Sequence, residues 1–346
     1  MVTKGTDVDF RLATTAPTTT AGYDAYWEFA TERQNVYLRR IAGLTGPLTD
    51  DPVLTANRFT NAYRAADRVS QHLITDVLYD RERNWVDTFA RTLVFKVFNR
   101  IGTWEHVIGR LGDVDADTVV SGAVDAAVGE VADRQPVYSA AYIMPPPQDR
   151  TGPKYVRHLS LIRTMLADGA PDRIAEATTM ADAYEVLADY PSVGPFLAYQ
   201  FVTDLNYSSH LSFSETEFVV PGPGAIRGLK KCFSDPGGYS PADLIRRTAD
   251  RQHDEFARRG LDWHDLWGRD LQLIDAQNLF CEVDKYTRVA NPELSAYAPG
   301  TRIKQRYRRD RRPVTAWFPP QWGINDRIMA VERQDVPEVD GQLALV

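Results

Sequence analysis

Apolar residues in this chain recur at intervals of three and four along most of its length, and almost nowhere in strict alternation. In YDAYWEFATERQNVYLRR, residues 23–40, Tyr26, Trp27, Phe29, Ala30, Val36, Tyr37 and Leu38 stand among charges and predict a first helix. TGPLTDDPVL follows as a turn, with Asp50 or Asp51 capping and Pro52 near the first position of the next helix. From Val53 to Tyr79, Phe59, Ala62, Tyr63, Ala66, Val69 and Leu73 form an apolar stripe, which predicts one long helix or two abutting ones. Asn61, Arg64, Arg68 and Gln71 define a second stripe on that segment, suited either to a polar pocket or to a buried network with Asp67.

WVDTFARTLVFKVFNRIGTWEHVIGRL continues in helical register, with Gly102 and Thr103 as boundary and cap before Trp104. Residues 113–134, 155–166 and 173–189 are helical in pattern. The loop PVYSAAYIMPPPQDRTGPK carries Tyr138, Tyr142 and Met144, and its proline run forbids regular structure. The class expected is mainly α.

The stretch ETEFVVPGPGAIRGLKKC, residues 215–232, brings three glycines and two lysines together in the manner of a phosphate-binding loop. A Rossmann loop requires a βαβ unit, whereas the only strand candidate here is EFVV and the spacing is one residue too long. A Walker loop is excluded because no Gly-Lys-Ser/Thr follows. Neither a nucleotide cofactor nor any other is expected. The six histidines are scattered without ligand spacing, so no metal is expected either.

The net charge of −7 conceals a polarised distribution: RIKQRYRRDRR, residues 302–312, carries +6 and leaves −13 for the remainder. Such a run is either a solvated surface segment or a nucleic-acid contact. Two cysteines, Cys232 and Cys281, read as packed thiols in a reducing cytoplasm. No signal-peptide core or membrane-length apolar run is present, and no obligate protein partner is indicated. Residues 1–22 read as a loosely attached threonine-rich arm, 23–322 as the helical body, and 323–346 as a tail.

LADYPSVGPFLAYQFVTDLNYS, residues 187–208, has the outline of a helix-hairpin-helix, in which backbone N–H groups at Gly194 and the following helix N-terminus would bind a DNA phosphate. In helix-hairpin-helix DNA glycosylases a carboxylate follows the hairpin by about twenty residues and faces the sugar of an extruded nucleotide. Glu217 is the first candidate for that role, with Glu215 and Asp204 in reserve. RFTNAYRAADRVSQ, GPFLAYQFVTDLNYS, SETEFVVPGPGAIRGLKKCF and DAQNLFCEVDKYTR, in that order between Tyr23 and Trp322, resemble the helical proteins of phage and bacterial DNA hypermodification and defence systems. These include the 5-hydroxymethyl-deoxyuridine DNA kinase helical domain and alpha-glutamyl/putrescinyl thymine pyrophosphorylases, relatives of DNA glycosylases.

The resemblance implies a helix-hairpin-helix, glycosylase-like fold acting on DNA whose pyrimidines bear a bulky 5-substituent. The expected reaction is excision: the modified nucleotide is flipped, a carboxylate stabilises the charge on the deoxyribose, and an abasic site remains. The kinase label is expected to belong to fusion partners, and a free-standing chain favours the defence role. A transferase or pyrophosphorylase decorating 5-hydroxymethylpyrimidine is the alternative, and a non-catalytic DNA-binding module a third. Gly194, Gly222, Gly224, Arg227, Lys230 and Lys231 are expected at DNA phosphates; Asn61, Arg64, Arg68, Gln71, Tyr142, Asn206 and Lys285 are expected at the base. Lys285 is equally explained as a helix ion pair with Glu282.

Overall fold

A computed structural model describes residues 15–44, 46–140, 144–148, 151–299, 303, 305–308 and 314–332. The protein is mainly helical, as its periodicity predicts. Helix α1 (Ala21–Ile41) is followed by the short α2 (Pro52–Ala56) and α3 (Arg68–His72). Next come α4 (Trp85–Phe98), α5 (Ile101–Leu111), α6 (Ala116–Val120), α7 (Ala123–Ala132), α8 (Lys154–Ala167), α9 (Ala170–Ala175), α10 (Met180–Ala188) and α11 (Pro195–Leu205). The chain then returns through α12 (Pro223–Cys232), α13 (Pro241–Asp250), α14 (Gln252–Arg258) and α15 (Leu273–Ala290), and α16 (Asn325–Glu332) ends the described chain. Among the described residues the only sheet is a two-strand antiparallel pair, β1 (Thr18–Thr19) with β2 (Phe233–Asp235).

Two helical groups result. In one, α1 lays Tyr26 and Trp27, both fully buried, against α15 and α14: the Tyr26 ring lies 4.5 Å from Phe280, and Trp27 meets Phe256 edge-on at 4.7 Å. Edge-to-face geometry adds to the gain from aromatic burial. In the other, α4 presents Phe89, Leu93 and Val94 to α8, α11 and the turn after α3. The side chains at the ends of these elements stop them where the sequence implies: Asp51 caps α2, accepting from Val53 N and Leu54 N, and Pro52 takes its first position. The helix after α4 begins at Ile101, ahead of the expected Gly102–Thr103 boundary, because Asn99 in a left-handed conformation ends α4. Thr103 instead donates to the Val137 carbonyl at 2.9 Å.

Neither the one long helix nor the two abutting helices expected from Val53 to Tyr79 form. After α2 the chain is non-helical to Tyr63, makes a 3-10 turn over Arg64–Ala66, and passes through α3 into a π-helical stretch, Leu73–Leu78. The reason lies far away in sequence. Thr60 N donates to Glu282 Oε2 (3.0 Å), Asn61 N to Asp67 Oδ1 (2.8 Å) and Arg64 N to Asp275 Oδ1 (2.7 Å). Carboxylates take the amides that a helix would give to its own carbonyls, and charge-assisted bonds outcompete them. Asn61, Arg64, Arg68 and Gln71 therefore share no helix face.

Residues 15–22 of the expected arm are pinned: Thr15 N donates to Gly237 O (3.0 Å) and Thr20 N to Cys232 O (2.9 Å). The expected strand EFVV is irregular; Val219 is buried and Phe218 packs on Tyr184 and Tyr199. The residues expected to form a Gly-Pro-Gly turn start α12, with Gly222 as N-cap and Pro223 at the first position. Gly224 and Gly228 set the spacing of α12 against α15. A Cβ on Gly224 would strike Cys281 Sγ, and one on Gly228 would strike the Phe280 carbonyl oxygen. The described start of the expected tail is ordered as α16.

Candidate nucleic-acid site

Helix α15 carries most of the buried polar chemistry. At its N-terminus Gln272 and Asp275 form a reciprocal capping box, and Asp275 is nearly fully buried. Burial pushes the Asp275 carboxyl up to about 7, against the Arg64 and Gln272 amides and Arg269, while Glu215 adds to the rise. Beside it Arg64 crosses the interior. Its Nη1 lies 2.8 Å from Asp204 Oδ1, its Nε donates to Gln200 Oε1 (3.1 Å), and Nη1 donates to Tyr207 Oη (3.1 Å). Lys96 reaches the other oxygen, with Nζ 3.2 Å from Asp204 Oδ2, and burial depresses its ammonium pKa despite that carboxylate. Asp204 is wholly enclosed between the two cations.

Beside this interior, residues of three loops, Glu215, Arg269 and Trp322, contact one another at a partly exposed mouth. Glu215, on the segment entering α12, receives Arg269 Nη2 at 2.7 Å, and its carbonyl accepts Leu273 N at 3.3 Å. The Arg269 guanidinium carbon lies 3.7 Å from the centroid of the Trp322 ring. Trp322 meets Tyr207 edge-on and Phe318 in parallel. The WFPP segment, residues 317–320, docks on the body: Gln71 donates to Trp317 O and accepts from Trp317 N, both at 3.0 Å.

The structure brings Glu215, Arg64, Asp204 and Asn206 into one region, but Asn206 holds the loop beyond α11, exchanging hydrogen bonds with Phe213 N (2.9 Å) and O (3.1 Å). Glu217 is solvent-exposed, and its carbonyl accepts from Arg246 (3.0 Å). Asn61 is tied to Ala66, Asp67 and Arg33, the network that its sequence reading offered as an alternative. Asp67 in that network is pushed by burial up to about 6. Arg68 is exposed, Gln71 is spent on Trp317 and Ala65, and Lys285 pairs with Glu282 (2.6 Å) over the Phe59 ring. Tyr142 lies outside the described residues.

Of the residues expected at phosphates, Gly194 starts α11 with open space around it, at the end of a turn that joins α10 and α11 and contains Ser192 at φ +71°. The Gly222 amide donates to Gln277 Oε1 (3.1 Å), and Gly224 faces Cys281. Lys231 is fully buried on Asp284 (3.0 Å), which also holds Arg227 (3.0 Å) and Arg288 (2.5 Å). Lys230 is exposed. The described part of the basic run lies antiparallel to residues 56–58, so that exposed Arg58, Arg306 and Arg308 lie on two paired extended segments.

Sequence reasoning did not single out Lys96, Gln200, Arg269, Asp275 or Trp322. A carboxylate three residues after Gln272, at the start of a strongly periodic segment, was the available signal for Asp275; nothing local marks the others. Among the described residues no group of three His, Cys, Asp or Glu is arranged to hold a metal ion, and no helix is long and apolar enough to cross a membrane.

Residues 20–296 match the family model described as 5-hmdU DNA kinase, helical domain, and the chain belongs to that family. It is 27% identical over 326 residues to the "5-hmdU DNA kinase" of Bacillus phage SP10, an alignment covering 87% of this chain. The chain spans about half the length of that relative, 50% of it. No solved structure matches. These findings overturn the expected excision reaction and the hydrolase class: the relative is named as a kinase, which transfers a phosphoryl group and leaves the glycosidic bond intact.

Proposed function

We propose that this chain binds DNA containing 5-hydroxymethyluracil and presents the modified base for phosphorylation. The observation that carries this reading is the family match across most of the helical body, together with the name of the phage relative. In the reaction, the hydroxymethyl oxygen attacks the terminal phosphorus of a nucleoside triphosphate. An O–P bond forms, the bond to the diphosphate breaks, and the hydroxyl proton passes to a carboxylate. Glu215 is the acidic group at the mouth suited to accept it.

The chain spans half of the phage kinase, and in this reading the triphosphate is held by a nucleotide-binding unit acting with it. DNA contact rests on the open Gly194 turn, on Lys230, and on the paired extended segments bearing Arg58, Arg306 and Arg308. A local basic surface suffices for an acidic protein to hold phosphates, and it makes binding salt-dependent.

The test compares binding to duplexes that differ only in 5-hydroxymethyluracil or thymine, followed by nucleoside mass spectrometry after adding ATP and the part of the phage kinase that this chain does not span. Tighter binding to the hydroxymethyl duplex and a phosphoryl gain on that nucleoside are expected. Equal affinity for both duplexes, with no phosphoryl gain, would overturn the reading.

A further inference from the structure

Arg269 is held over Trp322 by a loop under backbone strain. Trp267, two residues earlier, has φ +52°, a region that bulky residues rarely occupy. The conformation is fixed from outside: Arg327 Nη1 donates to the Trp267 carbonyl, and Gly268 N donates to Asp265 Oδ1, both at 2.6 Å. Tyr63 Oη donates to the Arg269 carbonyl at 2.7 Å. Strain of this kind persists where surrounding structure over-determines it, and it concentrates at ligand clamps. The loop fixes where the Arg269 guanidinium sits, between Glu215 and the indole.

The indole is fixed from the opposite side of the mouth. Gln321 Nε2 donates to the Ser208 carbonyl (3.0 Å), Tyr79 Oη donates to Gln321 Oε1 (3.0 Å), and Trp317 is clamped by Gln71. Trp322 is only half-buried, so this anchoring holds an aromatic face at the surface. Its partner there is a planar cation paired with a carboxylate. A pyrimidine ring is also planar, and its stacking on an aromatic side chain is comparable in strength to a cation–π contact. Exchange of one for the other on the indole is close to balanced, and the Arg269–Glu215 pair that it breaks has to be replaced by contacts of both side chains to the nucleotide.

We infer that Trp322 and Arg269 form the receiving platform for an extruded 5-hydroxymethyluracil, the base replacing the guanidinium against the indole. Arg269 then turns to the phosphate of the extruded nucleotide, and Glu215, freed from Arg269, accepts a hydrogen bond from the 5-hydroxymethyl group. Trp322 supplies affinity for any flat base, and Glu215 supplies the choice of the hydroxymethylated one. The inference rests on the function proposed above and adds the residues that select the base.

The experiment uses the full chain and duplexes with 2-aminopurine beside a thymine or a 5-hydroxymethyluracil, reading fluorescence on extrusion and affinity by titration. Wild type is expected to brighten the probe and to prefer the hydroxymethyl duplex. Trp322→Ala is expected to abolish the brightening, to lower affinity for the hydroxymethyl duplex about tenfold and for the thymine duplex as well, and to leave the two equal. Trp322→Phe is expected to restore both. Glu215→Gln is expected to keep the brightening and lose the preference. Circular dichroism and melting report folding, and Glu215→Gln carries the test if Trp322→Ala unfolds; Arg269→Gln is expected to weaken binding to both duplexes and to lower the salt slope by about 1. Preference and brightening that survive Trp322→Ala, or preference that survives Glu215→Gln in its place, overturn the platform alone. A wild-type protein with no preference overturns the proposed function and the platform together.

Discussion

Replacing Asp204 by Asn separates a structural carboxylate from a chemical one. Asp204 is fully enclosed, 2.8 Å from Arg64 and 3.2 Å from Lys96, so neutralising it leaves two buried cations with no carboxylate between them. Removing one partner from a buried ionic network costs about 3–5 kcal/mol, a large part of the roughly 5–15 kcal/mol that stabilises a folded domain. Lys96 provides the escape route, because burial already lowers its pKa and loss of Asp204 removes the attraction opposing that shift. A lysine with a depressed folded-state pKa favours folding when it is neutral. The penalty in Asp204→Asn is therefore expected to shrink as pH rises towards that of the free amine and to grow as pH falls. Urea denaturation followed by circular dichroism at several pH values measures this, and a second substitution, Lys96→Met, is expected to recover part of the loss. A variant within about 1 kcal/mol of wild type at neutral pH that nevertheless cannot support phosphorylation would refute the structural assignment.

Four further outcomes are expected. Gly228→Ala places a methyl group on the Phe280 carbonyl and forces α12 away from α15, so it should destabilise by about 1–3 kcal/mol in thermal or urea unfolding. Gly194→Ala meets no neighbour and has an ordinary φ of −70°, so stability should hold or rise by about 0.4–1 kcal/mol while DNA affinity falls, as read by anisotropy. Lys230→Ala should leave stability within about 0.5 kcal/mol and reduce the slope of log affinity against log salt by about 1, since Lys230 is exposed. Asp275 binds its proton more tightly folded than unfolded, its pKa rising from 3.8 to about 7. Its contribution is fully present below the unfolded value and is lost as pH rises through 7. This amounts to up to about 4 kcal/mol, and Asp275→Asn should flatten the fall in stability between pH 4 and 8 seen by chemical denaturation.

Local signals carried much of the architecture. The periodicity places the first helix at residues 23–40, and it runs Ala21–Ile41; the segment that it places at 155–166 is α8, Lys154–Ala167. These segments bury one face continuously, so periodicity reports them directly. Asp51 and Pro52 were legible for the same reason, since a cap and its helix lie within four residues of each other. The family, too, was recognisable from motifs in order, whereas the reaction assigned to it was excision and the relative's name is that of a kinase.

By itself the sequence determined a mainly helical chain, the limits of α1 and α8, the polarised charge and the absence of a Walker loop, all of which depend on neighbours along the chain. The tertiary structure decided everything requiring groups distant in sequence. It broke the stripe at 57–67 by offering Glu282 and Asp275 to the Thr60 and Arg64 amides. It assigned Gly224 and Gly228 to a helix seam and enclosed Lys231 on Asp284. It also placed Glu215, Arg269 and Trp322 at one mouth. Periodicity encodes which face of a helix is buried, but not which partner buries it; that depends on packing between distant segments, such as those of Gln71 and Trp317, 246 residues apart in this chain.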